Sequence, residues 1–354
     1  GSEMCIRDRR QIETVVDRAV SVAMSEPRGP VYLSLPREVL AEKPGDFSFQ
    51  SPSRRVAAHG SAPDPAALDE AAQILTSAKN PLIITASVGQ NQAAVPALES
   101  LAERYALPVI TYRPRYVNIS SDHPMHMGYE PGAYLPTVDA VLVVDCDVPW
   151  IPSLHKLNPD ASVIHIGADP HFENYPIRGF PCDLAIRASA VTALPQLEEA
   201  MSAHEKSANA KIDARREKIG EVKSEQAAAN KARIEKIVSG TAAMDNAWVA
   251  HCIEQLKEDD DILVSESQLA LANLSLRNPG TYFGTSPAGG LGWGLGAGLG
   301  VKLGDRAKRV WNVVGDGSYM FGNPTPAHFV SSAYDLPVLT VILNNKMWGS
   351  VRKA

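Results

Sequence analysis

The chain has 354 residues, 45% hydrophobic and 21% charged, which is enough for two or three globular domains; no apolar span reaches transmembrane length. A net charge of −6 without a dense basic patch argues against nucleic acid as a partner. Cys5, Cys146, Cys182 and Cys252 are scattered with no CxxC or zinc spacing, so they read as reduced thiols of a cytoplasmic protein.

Residues 1–10 lack a periodic pattern. They read as an artificial terminus and are set aside from fold reasoning. Residues 11–24 place Ile12, Val15, Val16, Ala19, Val20 and Ala23 on one helical face. Pro27-Arg28-Gly29-Pro30 stops that helix, and residues 31–35 form a short strand closed by Pro36. Residues 41–63 are rich in Pro, Ser and charge, and 46–63 read as a linker. From residue 64 to 201 helices and strands alternate: helices at 65–77 and 93–105, strands at 81–86, 109–112, 140–144 and 162–166. Alternation at this spacing predicts a parallel sheet with covering helices. Residues 202–240 mix Lys, Glu and Ala at helical spacing and predict a solvated linker helix. A helix at 243–256 and a strand at 261–264 follow. Then comes a glycine-rich run, Gly289 to Gly300, predicted from Gly294 onward to be a small-residue helix packed closely in a core.

Two further strands end abruptly in small polar residues. Val310–Val314 runs into Gly315-Asp316-Gly317-Ser318, and Val338–Leu343 runs into Asn344-Asn345. Between them 324–334 reads as a helix with Asn323 or Thr325 as N-cap. Asp-Gly between apolar runs is also a hairpin signal. The distance to Asn344-Asn345, however, leaves room for a helix and a return strand, which favours a βαβ crossover. In open parallel sheets ligands bind beyond the carboxyl ends of the strands. Asp316 offers a carboxylate and Asn345 an amide oxygen, hard donors suited to Mg²⁺ shared with phosphate oxygens. Gly315 and Gly317 allow close backbone approach, Ser318 can donate, and a following helix adds the positive end of its dipole. The same αβ junction occurs twice, as Tyr105-Ala106-Leu107-Pro108-Val109 and Tyr334-Asp335-Leu336-Pro337-Val338.

GDGS at this distance from a strand ending in NN resembles the thiamine diphosphate signature of the decarboxylase and acetolactate synthase superfamily. RGPVYLSLPREV (residues 28–39), HIGADP (165–170) and PAGGLG (287–292) resemble the same family, so the resemblance spans residues 11–354. It implies an α/β fold of tandem open parallel-sheet domains with flanking helices, a thiamine diphosphate-binding fold plus a central domain. Residues 1–45 are then the end of a pyrimidine-binding domain, 64–201 the central domain and 241–354 the diphosphate- and Mg²⁺-binding domain, all within an internal piece of a longer enzyme.

The resemblance also implies roles. Asp316, Asn345 and the Met347 carbonyl hold Mg²⁺. Ser267, Gln268, Gly315, Gly317, Ser318 and Trp348 lie at the diphosphate. Leu291 is the apolar wedge that bends the cofactor, and the Gly289 carbonyl accepts from its 4′-amino group. His123, in Asp122-His123-Pro124, is a candidate for proton transfer because some relatives place a similar histidine at the substrate. The implied reaction is decarboxylation of a small 2-oxo acid, ending in an aldehyde or in ligation to a second carbonyl, in a homodimer or homotetramer. The glycine-rich stretch is closer to the benzoylformate decarboxylase pattern, and an inactive cofactor-binding homologue is a further alternative. The family's activating glutamate matches no glutamate of this chain, so the chain alone is expected to show no turnover. FAD, held by the central domain of acetolactate synthases, is disfavoured. Val144-Asp145-Cys146-Asp147-Val148-Pro149 stands where flavin-binding members commonly have a Gly/Arg turn, and no GxGxxG pattern occurs in a strand-to-helix context.

Overall fold

The computed structural model describes residues 3–5, 11–41, 43, 55–240, 244–267, 269–285, 289–349 and 352. In chain order the elements are β1 (Glu3–Cys5), α1 (Ile12–Met24), β2 (Tyr32–Ser34), α2 (Arg37–Ala41), α3 (Pro65–Ser77), β3 (Pro81–Thr85), α4 (Val95–Arg104), β4 (Val109–Thr111), β5 (Ala140–Val144), β6 (Ser162–Gly167), β7 (Leu184–Arg187), α5 (Ala190–Ser202) and α6 (Glu205–Val238). There follow α7 (Asn246–Glu254), β8 (Ile262–Ser265), β9 (Tyr282–Gly284), α8 (Trp293–Gly304), β10 (Val310–Gly315), α9 (Asp316–Phe321), α10 (Pro324–Ala333) and β11 (Leu339–Leu343).

The strands form parallel sheets. Among the described residues one sheet has the order β4-β3-β5-β6-β7 and another β11-β10-β8-β9, with all neighbours parallel. This is the tandem parallel α/β architecture that the alternating pattern predicts. β3 (Thr85 apart) and β5 are apolar and buried at every position, as a sheet covered on both faces requires. Helices α3, α4 and α5 supply Leu75, Leu98, Leu101 and Leu197 to that core. The start of α3 is fixed locally: the Asp64 carboxylate accepts from the amides of Ala66 and Ala67, and Pro65 fills the first helical position.

Several elements depart from the sequence reading. Residues 3–5, set aside there, pair in parallel with β2. The predicted solvated helix at 202–240 is α6, and Ala208, Ile212 and Ile219 on its inner face are buried in the core of the central sheet. Its polar residues also reach neighbouring backbone: Lys211 donates to the Ser77 carbonyl and Lys223 to that of His123. A few apolar residues spaced along a long polar helix give little periodic signal, but they suffice for a seam. Asn323 stands at the N-cap position of α10, yet it adopts a left-handed φ of 52° and makes no side-chain cap hydrogen bond. Pro324 at the first helical position already removes one of the amides a cap would satisfy.

The repeated junction is one motif built twice. α4 and α10 end at Tyr105 and Tyr334. The next residues, Ala106 and Asp335, take left-handed φ values of 48° and 50°. Leu107 N–H then donates to the Ala102 carbonyl and Leu336 N–H to that of Ser331. Each exposed helix end is closed by a guanidinium: Arg216 donates to the Glu103 and Arg104 carbonyls, and Arg306 to those of Tyr334 and Asp335.

Candidate functional site

β10 lies between β8 and β11, and the parallel register pairs Val313 with Ser265 and Gly315 with Leu343. Three chain segments therefore leave the sheet side by side at its carboxyl edge: Glu266-Ser267, Asp316-Gly317-Ser318 and Asn344-Asn345. The sequence reading treats GDGS as a loop. In the structure Gly315 closes β10 and Asp316 opens α9 directly, with Ser318 buried under its turn. Asp316 thus sits where a strand converts to a helix without a connecting loop.

The Asn344-Asn345 segment is a pair of side-chain turns. Asn344 Oδ1 accepts from Lys346 N–H and Asn345 Oδ1 from Met347 N–H, each at 2.9 Å. Lys346 takes a φ of 58° to make the reversal. The reversal brings Trp348 over the start of α9. A Cβ on Gly317 would lie 3.2 Å from Trp348 Cδ1, so glycine is what admits the indole there. The indole also meets Phe321 edge-on with ring centroids 6.1 Å apart.

The glycine-rich run is shaped by close approach at particular positions. Gly292 has a φ of 88°, and a Cβ there would meet the backbone at Phe321 and Gly322 within 3 Å. A Cβ on Gly294 would lie 2.7 Å from Val314 Cγ1 and 2.9 Å from Glu266 Oε2. α8 is thereby pressed against β10 and the end of α9. Gly296 and Gly300 face open space, so the composition of the run exceeds what packing demands.

Glu266 is the residue that the sequence reading missed. No role follows for it from the sequence, where no glutamate of the chain matches the family's activating one. In the structure its Oε1 accepts from Gly292 N–H at 2.6 Å and its Oε2 from Gly294 N–H at 2.5 Å. One carboxylate thus satisfies two orphan amides at the start of α8 and sets the backbone on which Leu291 is presented. Nothing in local sequence marks this, because the partners are 26 and 28 positions away. Leu291 itself is 39% exposed and free to contact a ligand.

The donor set fits thiamine diphosphate with Mg²⁺. Asp316 and Asn345 supply hard oxygens beside glycines that leave the backbone open. Ser267 Oγ is buried and has no hydrogen-bond partner, as expected of a hydroxyl reserved for a ligand. Among the described residues no group of three or more His, Cys, Asp or Glu could hold a metal. An Asp–Asn–carbonyl shell does not belong to that class. Gln268 and residues 286–288 lie outside the described residues.

His123 stands apart from these loops. Its Nδ1 accepts from Met125 N–H, and its Nε2 lies 3.7 Å from Glu103 Oε2. Lys223 of α6 bonds its carbonyl, and burial holds its pKa below the usual histidine value. Neighbouring His126 is pushed down to about 4, chiefly by burial, so it is neutral in the core.

At the carboxyl edge of the other sheet lies a cavity of about 770 Å³ lined by Glu26, Ser87, Arg115, Asp145, Asp147 and Asp169 among others. Burial, and then the charge of Glu26, raises Asp145 to about 7. Arg115 is already paired with Asp147. The same lining carries donors as well as carboxylates, among them Arg28, Asn91 and Asn174.

Residues 264–354 match the model of the thiamine pyrophosphate enzyme C-terminal TPP-binding domain, and residues 68–197 match that of the thiamine pyrophosphate enzyme central domain. A benzoylformate decarboxylase from Pseudomonas aeruginosa is 25% identical over 98% of this chain and 63% of its own length. The large subunit of acetolactate synthase isozyme 3 from Escherichia coli is 26% identical over 98% of this chain and 61% of its own. The crystal structure of a benzoylformate decarboxylase from Polynucleobacter necessarius superposes with a TM-score of 0.75 at 19% identity. It covers 99% of this chain and 64% of that one, and is evidence of fold alone. The chain thus spans about three-fifths of the curated relatives it matches.

Proposed function

Because this chain belongs to the thiamine pyrophosphate enzyme family, we propose that it forms the cofactor-anchoring side of a thiamine diphosphate- and Mg²⁺-dependent site for decarboxylating, and in a synthase ligating, 2-oxo acids. The observation that supports this most directly is the parallel pairing of β10 with both β8 and β11. It sets Ser267, Asp316 and Asn345 on one sheet edge.

When bound, the cofactor supplies a carbanion nucleophile and an electron sink for the departing carboxylate. The chain's own contribution is positioning. Asp316, Asn345 and the Met347 carbonyl hold the metal, which neutralises the diphosphate. Ser267 and Ser318 donate to phosphate oxygens, Gly317 keeps the backbone close, and Trp348 covers that end. Leu291 wedges beneath the cofactor from a backbone that Glu266 fixes. Both benzoylformate decarboxylase and acetolactate synthase are among the relatives, so the reading covers simple decarboxylation and carboligation alike.

Because no glutamate of the chain matches the activating one of the family, the decisive readout is binding. Calorimetric titration of the 354-residue chain with thiamine diphosphate should show saturable binding that requires Mg²⁺. Binding that is indifferent to Mg²⁺, or unaffected by Asp316→Ala, overturns the reading.

A further inference from the structure

At the amino end of the central sheet, opposite the large cavity, lies a smaller one of about 70 Å³. It is lined by the starts of β3 and β4, the residues before β5, and the inner face of α6. α6 presents Arg215, Ile219 and Val222 to it at helical spacing. Its walls are mostly apolar, with Leu82, Met127 and Val138 all buried in the adjoining core.

Arg215 is out of place in such a lining. It is only 6% exposed. Its Nη1 donates weakly to the Leu75 carbonyl at 3.4 Å, at the end of α3, while its Nε and Nη2 are buried with no partner. The nearby acid is Asp139, whose oxygens are committed: Oδ2 accepts from Lys79 N–H at 2.6 Å and Oδ1 from Asn80 N–H at 2.9 Å. Lys79 and Lys218 add positive charge at the rim, with Lys218 bonded to Asn80. Burial lowers the Arg215 pKa to about 10, so the guanidinium remains charged at neutral pH. Asp139 offsets part of the charge, but a buried guanidinium with two N–H groups left unpartnered is still unfavourable.

We propose that this cavity binds a small monocarboxylate with a short aliphatic chain. Its carboxylate sits on the free Nε and Nη2 of Arg215, and its chain lies against Leu82, Met127, Ile219 and Val222. The guanidinium edge formed by Nε and one Nη matches a carboxylate in two parallel hydrogen bonds. The volume limits the chain to a few carbons. Because α6 spans from the central core to Asn273, with Asn230 bonded to that residue, an occupant here also braces the helix that links the two sheets.

The test is calorimetric titration of the whole chain with isobutyrate, with isobutanol as the uncharged isostere and sulfate as an anion without a chain. Isobutyrate should bind with a Kd on the order of 1 mM, the range open to a ligand of so few atoms. Arg215→Met should retain the melting temperature and weaken isobutyrate about tenfold or more. Val222→Phe fills the cavity without touching the guanidinium and should have the same effect, so it decides the matter if Arg215→Met fails to fold. Absence of saturable isobutyrate binding overturns the proposal. So does equal binding by wild type and Val222→Phe, or binding of isobutanol or sulfate as tight as that of isobutyrate.

Discussion

The junctions after α4 and after α10 share sequence, backbone and capping, yet they sit in different worlds. Tyr105 is fully buried and bonds the Glu198 carbonyl through its hydroxyl, whereas Tyr334 is 63% exposed. β4 is buried at every position, while every position of β11 is exposed or half-buried. Leu107 and Leu336, by contrast, are both buried. The turn therefore depends on a left-handed residue and one buried leucine, and not on the tyrosine. Within the described residues the strands β3 and β5 are buried at every position, whereas β11 is exposed or half-buried throughout.

The comparison breaks most sharply at the tyrosines. Tyr105→Ala should destabilise by about 3–5 kcal/mol, the usual loss for a buried aromatic, while Tyr334→Ala should stay within about 0.5 kcal/mol. Denaturant unfolding of the two variants checks this, and equal losses would mean that the junctions are energetically alike. Next in size is a functional contrast. Asp316→Ala should weaken thiamine diphosphate in the presence of Mg²⁺ by about 100-fold while leaving the unfolding midpoint unchanged, because it removes a proposed metal ligand and no core contact. Asp145→Asn should leave that affinity as it was.

Within the glycine run the contrast is steric. Gly294→Ala forces a methyl against Val314 and Glu266 and should destabilise by about 1–3 kcal/mol. Gly296→Ala meets open space inside a helix and should stabilise by about 0.5–1 kcal/mol. Thermal melts of the pair separate close packing from mere composition. A further contrast lies in pH dependence. Asp145 in the folded chain is raised from 3.8 to about 7, so the folded state binds the extra proton between those values. Its stabilising contribution is present below about pH 4 and is lost as pH rises towards 7. The melting temperature of wild type relative to Asp145→Asn should therefore fall across that window, and a flat difference would contradict the raised value.

Much of this was legible in one dimension because it is locally encoded. Apolar β-branched runs such as Val310–Val314 must be buried strands, and Asp64-Pro65 starts a helix by its own hydrogen bonds. That the Gly315-Asp316 and Asn344-Asn345 strand ends lie side by side also follows from the strand spacing, as the pairing of β10 with β11 shows. The inner face of α6 was not legible, since Ala208, Ile212 and Ile219 are too widely spaced to stand out among charges. The carboxylate clamp of Glu266 was not legible either, because both partners are distant backbone amides with no side-chain signature.

By itself, then, the sequence determined the parallel α/β class, the strand ends that gather the oxygen donors, and the repeated αβ junction. Each is a matter of short-range sterics and hydrophobic alternation. Tertiary structure alone decided that Asp316 opens a helix and that Glu266 fixes the glycine run beneath Leu291. It also decided that His123 lies under α6 and that Arg215 is buried with its Nε and Nη2 unpartnered. Those outcomes depend on which distant backbone and side-chain atoms the packed sheets bring within hydrogen-bond reach, and no local preference specifies that.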